Sequence, residues 1–139
     1  MSLATVHANM RAAFRQKLRD MTDLPTIAWE GRLYKPFVGT PFMRESFRPI
    51  SSDLRAIGPN GLIAHRMTGN LSLFYPIAKG TVEIETMAGL LLTRFKPGTS
   101  LEYGSDKGLV LQAQRAPLLQ EADWMSCPVT ISLVAYTAN

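Results

Sequence analysis

Few residues of this chain could do chemistry: two histidines, one cysteine and one Lys-Gly-Thr turn. His7 and His65 stand far apart, and neither falls in a His-Glu-x-x-His or His-x-His spacing. A metal site is therefore not expected, and both are read as surface or capping side chains. Cys127 is alone, which excludes an internal disulfide and any Cys-x-x-Cys or Cys/His zinc pattern. Lying in an apolar run just before Pro128, it reads as a small hydrophobe. "PIAKGT" puts Lys79, Gly80 and Thr81 where a helix should begin, a place that could greet an anion. It lacks the glycine-rich cradle of a phosphate loop, so a plain helix cap is the simpler reading. "GPNG" and "KPGTSLEYG" match neither the Walker pattern nor G-x-G-x-x-G. No catalytic set, cofactor site or metal site is expected, and the chain is not read as an enzyme.

A second kind of chemistry is contact with an acidic partner. Fifteen Lys and Arg against eleven Asp and Glu leave a net charge of +4, spread along the chain. Arg11, Arg15, Lys17 and Arg19 are explained by the solvated face of an amphipathic helix. Arg44 and Arg48 flank Phe42 at strand spacing, which is the beginning of an aromatic and basic face of the kind that binds nucleic acid. The remaining strands carry Gln, Ser and Thr instead, which suits protein contacts equally well. A nucleic-acid-binding module therefore stands as one reading and an assembly protein as another.

The elements that must position these residues come next. A chain of 139 residues with 46% hydrophobic content is the size of one domain, residues 1–139. No apolar run is long enough for a membrane span and no signal region is visible, so a soluble protein assembled in the cytoplasm is expected. Val6, Met10, Phe14 and Leu18 recur every fourth position and predict a helix from about Ala4 to Met21. "TDLPTIAWEGRLYKPFVGTPFM" carries three prolines and two glycines and allows only a short strand near Ile27 to Glu30. "PFMRESFRPI" alternates Phe42, Arg44, Ser46 and Arg48 with Met43, Glu45 and Phe47, and Pro49 should end it. Residues 50–64 then read as a long, mobile loop and the first place to look for a partner.

"GNLSLFYPIAKGTVEIETMAGLLLTRFKPG" changes its period in the middle. Leu71, Leu73 and Tyr75 step in twos, and Pro76 stops the strand. From Thr81, Ile84, Met87, Ala88, Leu91 and Phe95 step in threes and fours, with Glu83 and Glu85 at the start and Arg94 and Lys96 at the end. That is strand, tight turn, helix. Two more strands follow, one with Leu109, Leu111 and Ala113 on its oily side, the other with Val129, Ile131 and Leu133, and Trp124 anchors the turn between them. The expected fold is α+β, in the order α-β-β-β-α-β-β, with a mixed or antiparallel sheet and both helices packed on one face.

Several of these segments together resemble the phage tail-terminator-like proteins, small prophage-encoded domains. The resemblance covers most of the chain: the N-terminal helix, "PFVGTPFMRESF" at 36–47, "GNLSLFYPIAKGT" at 69–81, "LLTRFKPGTSL" at 91–101 and "DWMSCPVTISL" at 123–133. One departure is Ala78, where members often carry a further glycine. The resemblance implies an α+β subunit, monomeric or weakly associated in solution, that forms a ring, a hexamer, on the end of a finished tail tube. It would stop tube polymerisation and allow head attachment. The implied partners are other copies of the chain, the major tail tube protein and the head-tail connector protein, with DNA passing through the ring and no membrane involved. The implied place is the virion tail, reached from the host bacterial cytoplasm. Heterologous ring contacts and a tube that raises local concentration fit such a role. Arg44, Arg48, Arg55 and Arg66 are the residues expected to make the ring and partner contacts. A neighbouring head-tail joining role is an alternative within the same particle.

Overall fold

A computed structural model describes residues 3–58 and 61–138. It contains helix α1 (Val6–Arg19), strands β1 (Thr26–Ala28), β2 (Phe42–Leu54) and β3 (Leu62–Pro76), a single 3-10 turn (Ile77–Lys79), and helix α2 (Val82–Arg94). Strands β4 (Ser100–Tyr103), β5 (Asp106–Arg115), β6 (Leu119–Glu121) and β7 (Trp124–Ala138) complete it. The expected order is present, with β4 and β6 as short additions. The strands form one curled mixed sheet in the order β1-β2-β3-β7-β5-β4, and β6 pairs with the start of β7. Only β1 and β2 run parallel; the other pairings are antiparallel. No helix among the described residues is long and apolar enough to cross a membrane.

Both helices lie on one face, and the core fills the space between. From α1 come Val6, Met10, Phe14 and Leu18; from α2 come Ile84, Met87, Ala88 and Leu91, with Phe95 just beyond it. The sheet contributes Met43, Phe47, Met67, Leu71, Leu73, Val110, Val129, Ile131 and Leu133. Each buried large side chain contributes about 1.5–3 kcal/mol of transfer free energy, so these rows, facing each other, hold the layers together. Thr81 occupies the N-cap position of α2 but its side chain makes no capping bond. Glu83 and Glu85 in the first turn favour the helix start electrostatically. At the far end Arg94 donates to the Lys17 carbonyl at 3.1 and 3.2 Å, tying the ends of the two helices together.

Two expectations are corrected. Pro49 does not end β2, and most of the expected loop 50–64 is strand: β2 continues to Leu54 and β3 starts at Leu62, while Pro59 and Asn60 of that span lie outside the described residues. Pro49 keeps its place opposite Met67, and the register shift between Pro49 and Ser51 leaves out Ile50, so the strand carries on past the proline through a bulge beside it. The second correction concerns β5, where Leu109 and Leu111 face out, each over 40% exposed, while Gly108 and Val110 face in. The helix decides this. A Cβ built on Gly108 would lie 2.6 Å from the sulfur of Met10, so a side chain there would have to push Met10 aside for α1 to keep its place. A second register shift between Val110 and Gln112 then returns Ala113 opposite Ile131.

Candidate assembly interface

Of the groups that could do chemistry, Cys127 and His65 are stowed away, while Lys79, Gly80 and Thr81 are exposed at the start of α2. Cys127 is fully buried, donates its S–H toward the Ala116 carbonyl at 3.5 Å, and burial pushes its thiol above the usual range. His65 is not a surface residue: it is fully buried on β3, with Nδ1 2.7 Å from Ser52 Oγ and Nε2 2.8 Å from Thr137 Oγ1. The fold brings His7 against it, ring centroids 5.2 Å apart and edge to face, a meeting that their sequence separation hid. Burial, then the neighbouring His7, holds the His65 imidazole below the ordinary histidine value. Among the described residues no three His, Cys, Asp or Glu side chains gather as metal ligands.

What the fold does display is the sheet face turned away from the helices. In register across four strands it carries Arg44, Ser46 and Arg48 on β2, Thr68, Asn70 and Ser72 on β3, Thr130 and Ser132 on β7, and Gln112 and Gln114 on β5. Thr130 donates to Asn70 at 3.2 Å and Gln112 to Gln114 at 2.9 Å, so these short polar side chains are bonded among themselves. They form a polar surface that costs little to desolvate when another surface supplies partners. Arg44 lies over the rings of Phe42 and Phe74, at 5.4 and 5.8 Å, which holds its guanidinium close to the face.

An ionic network built on the buried Glu45 lies along the edge beside β2. The Glu45 side chain is fully buried and takes two bonds from Arg15, at 3.0 and 3.3 Å, and one from the Glu30 N–H at 3.2 Å. Glu30 in turn accepts the Phe47 N–H at 3.0 Å and pairs with Arg11 at 2.8 Å, while Arg11 also donates to the Phe47 carbonyl. The backbone bond from Phe47, with Arg11 and Arg15 nearby, lowers the Glu30 carboxyl from its usual value. Side chains thus satisfy the Phe47 N–H and carbonyl beyond the end of β1, which blunts that part of the edge against pairing with another chain. Trp29 lies beneath Arg15 and Arg19, at 5.4 and 5.2 Å, and packs the same corner.

The four arginines singled out in the sequence do not form one cluster. Arg44, Arg48 and Arg66 share the outer face of the β2–β3 ladder, where Arg48 opposite Thr68 is diagonal to Arg66. Arg55 sits past the end of β2, its N–H bonded to the Leu62 carbonyl at 2.6 Å. All four are exposed. The sequence reading missed their apolar company. Ile50, Leu54 and Ile57 on the same hairpin are 54–94% exposed, as are Leu33, Phe37 and Val38 at 69–105% in the connection before β2. Their signal was a set of large apolar residues in segments with no period, which a core does not require and a contact surface does.

One solved structure superposes with a TM-score of 0.75 at 18% identity, over 92% of this chain and 94% of its own. A second, from the virion of a native gene transfer agent particle, superposes with a TM-score of 0.62 at 17% identity, over 99% of this chain and all of its own. At those identities the likeness is one of fold. No curated protein matches the sequence. Residues 9–133 match the family described as phage tail terminator protein. That span takes in both helices nearly whole and the sheet as far as Leu133, so the chain belongs to the phage tail terminator family and has a structural role in a phage tail.

Proposed function

We propose that the protein assembles as a ring, a hexamer, on the end of a finished tail tube, where it stops tube polymerisation and offers a surface to the head-tail connector. The observation that carries this reading is the family match over residues 9–133. The polar outer face and the exposed hairpin support it, since a ring of identical copies needs two different surfaces on each subunit. Weak contacts suffice once the tube holds copies side by side at high local concentration. The chain is then monomeric or weakly associated before it meets the tube, and it acts as a structural rather than an enzymatic component. Its place is the virion tail, with assembly in the host cytoplasm and DNA passing through the ring.

In this reading Arg44, Arg48, Arg55 and Arg66 meet acidic groups of the tube protein or of neighbouring copies. The test is electron microscopy of tails made without this protein. Tubes of uncontrolled length that return to uniform length on complementation support the reading; uniform, capped tails in its absence refute it. Complementation with Arg48→Glu and Arg66→Glu, both at exposed positions, should leave the domain folded and the tails uncapped.

A further inference from the structure

The hairpin and the opposite end of the molecule carry complementary features. Where β3 ends, Val38, Pro76, Ile77, Ala78 and Trp124 line a groove of about 270 Å³ with Asp123 on its rim. The Ile77 N–H bonded to the Asp123 carbonyl at 3.1 Å fixes one wall. The groove is mainly apolar and its rim carboxylate is exposed. Glu83, Glu85 and Glu121 are exposed on nearby segments, and the cations of this end are Lys79, Arg115, Lys35 in the segment before Val38, and Arg44, held over Phe42, which packs on Trp124. Arg115 is taken up by Glu85 at 3.4 Å.

At the hairpin end arginines prevail. Arg48, Arg55 and Arg66 are exposed with one carboxylate, Asp53, which accepts a bond from Ser51 at 3.2 Å. Ile57 is 94% exposed and Leu54 54%, close in sequence to Arg55. The groove is an apolar slot beside a carboxylate.

The two cannot meet within one molecule. Leu62 starts β3 and Pro76 ends it, which at about 3.3 Å per residue places them roughly 45 Å apart on a stiff paired strand. We infer that the hairpin tip of one copy docks in this groove of the next, with Ile57 in the slot and Arg55 on Asp123. The contact is heterologous, so it repeats from copy to copy and closes into a ring or continues as a chain. It rests on the proposed ring only for the number of copies; the pairing of surfaces stands on charge and shape. It also assigns the hairpin to neighbouring copies, leaving the polar sheet face for other partners.

Disulfide trapping tests it. Ile57→Cys and Ala78→Cys are combined in the full chain, both at exposed positions, while the native Cys127 is buried. The protein is oxidised alone at high concentration and on purified tail tubes. The expected result is a ladder of linked species beyond the dimer, absent from either single variant. Arg55→Glu or Asp123→Lys should each cut the ladder about tenfold, and the two together should restore it. No ladder in either setting overturns the inference, as does equal dimer formation by Ile57→Cys alone, which would mean that two tips meet. A ladder with normal tails in the gene deletion would leave this contact standing and remove the terminator reading. Capped tails without a ladder would do the reverse.

Discussion

The ring of Phe14 occupies the space where Gly69 would carry a side chain: a Cβ built on Gly69 would lie 2.5 Å from Phe14 Cζ. Phe14 sits on α1 and Gly69 in the middle of β3, opposite Phe47 on one side and Ile131 on the other. With Met10 over Gly108, it sets how closely the first helix approaches the sheet. Phe14 also touches Phe47 and Phe95, at 5.5 and 5.0 Å, so the same ring joins helix, sheet and the end of α2.

Gly69→Ala should therefore overpack this contact and lower stability by about 1–3 kcal/mol. Phe14→Leu in the same chain should recover part of the loss by making room. Urea denaturation of the three proteins reads both effects, and an unchanged midpoint for Gly69→Ala would show that α1 sits further from the sheet than described.

Arg15→Ala should cost about 3–5 kcal/mol, because it leaves a buried carboxylate without its cation. The Glu45 side chain is fully buried and that of Arg15 19% exposed. Replacing both, as Arg15→Met with Glu45→Met, should lose much less than Arg15→Ala alone. A double-mutant cycle by chemical denaturation separates the two. If Arg15→Ala proves neutral, Glu45 has another way to satisfy its charge.

Stability should fall as the pH drops below about 6.5, before most carboxylates titrate. The folded protein holds His65 neutral, below its ordinary value of 6.5, through burial and then the presence of His7. With the folded value depressed, the unfolded chain binds the proton more readily in the window beneath 6.5, so stability is full above it and is lost as pH falls through the folded value. Ser52, Thr137 and His7 are the neighbours that face the ring. Thermal unfolding followed from pH 7.5 to 5 should show this slope, and His65→Asn should flatten it.

Cys127 should resist thiol reagents in the native state. It is fully buried and its thiol is raised by burial, so little thiolate is present at neutral pH and none is accessible. Reaction with a chromogenic disulfide should be slow in buffer and fast in denaturant. Rapid labelling of the native protein would show that β7 opens readily beside Ala116.

How much of this was legible depends on how far apart the deciding residues lie. Both helices and the strand-to-helix switch at Pro76 follow from local period, proline and glycine, since the apolar stripe and its breaks sit within a few residues of each other. β7 also announced its inner face, through Val129, Ile131 and Leu133. β5 did not, because its leucines point outward and its inner face is set by Met10, which lies about a hundred positions earlier. The long hairpin was hidden by Pro49, which reads as a strand end until it is seen to pair opposite Met67 with a bulge at Ile50 beside it.

The candidate interface divides in the same way. Exposed arginines could be named from strand alternation. Their separation into a face group and a tip could not, because it depends on the register between β2 and β3. The ionic corner of Arg11, Arg15, Glu30 and Glu45 joins three separate segments, and no local pattern predicts a carboxylate facing the core.

By itself the sequence determined one α+β domain, the positions and buried stripes of its helices, and the segments that carry its family likeness, because periodicity and turn chemistry act over a few residues. Only the tertiary structure decided the order of the strands, which side of β5 is hidden, the meeting of His7 with His65 and the complementarity of the two ends. Each of those depends on residues far apart in the chain, brought together by the burial of surfaces that no short window contains.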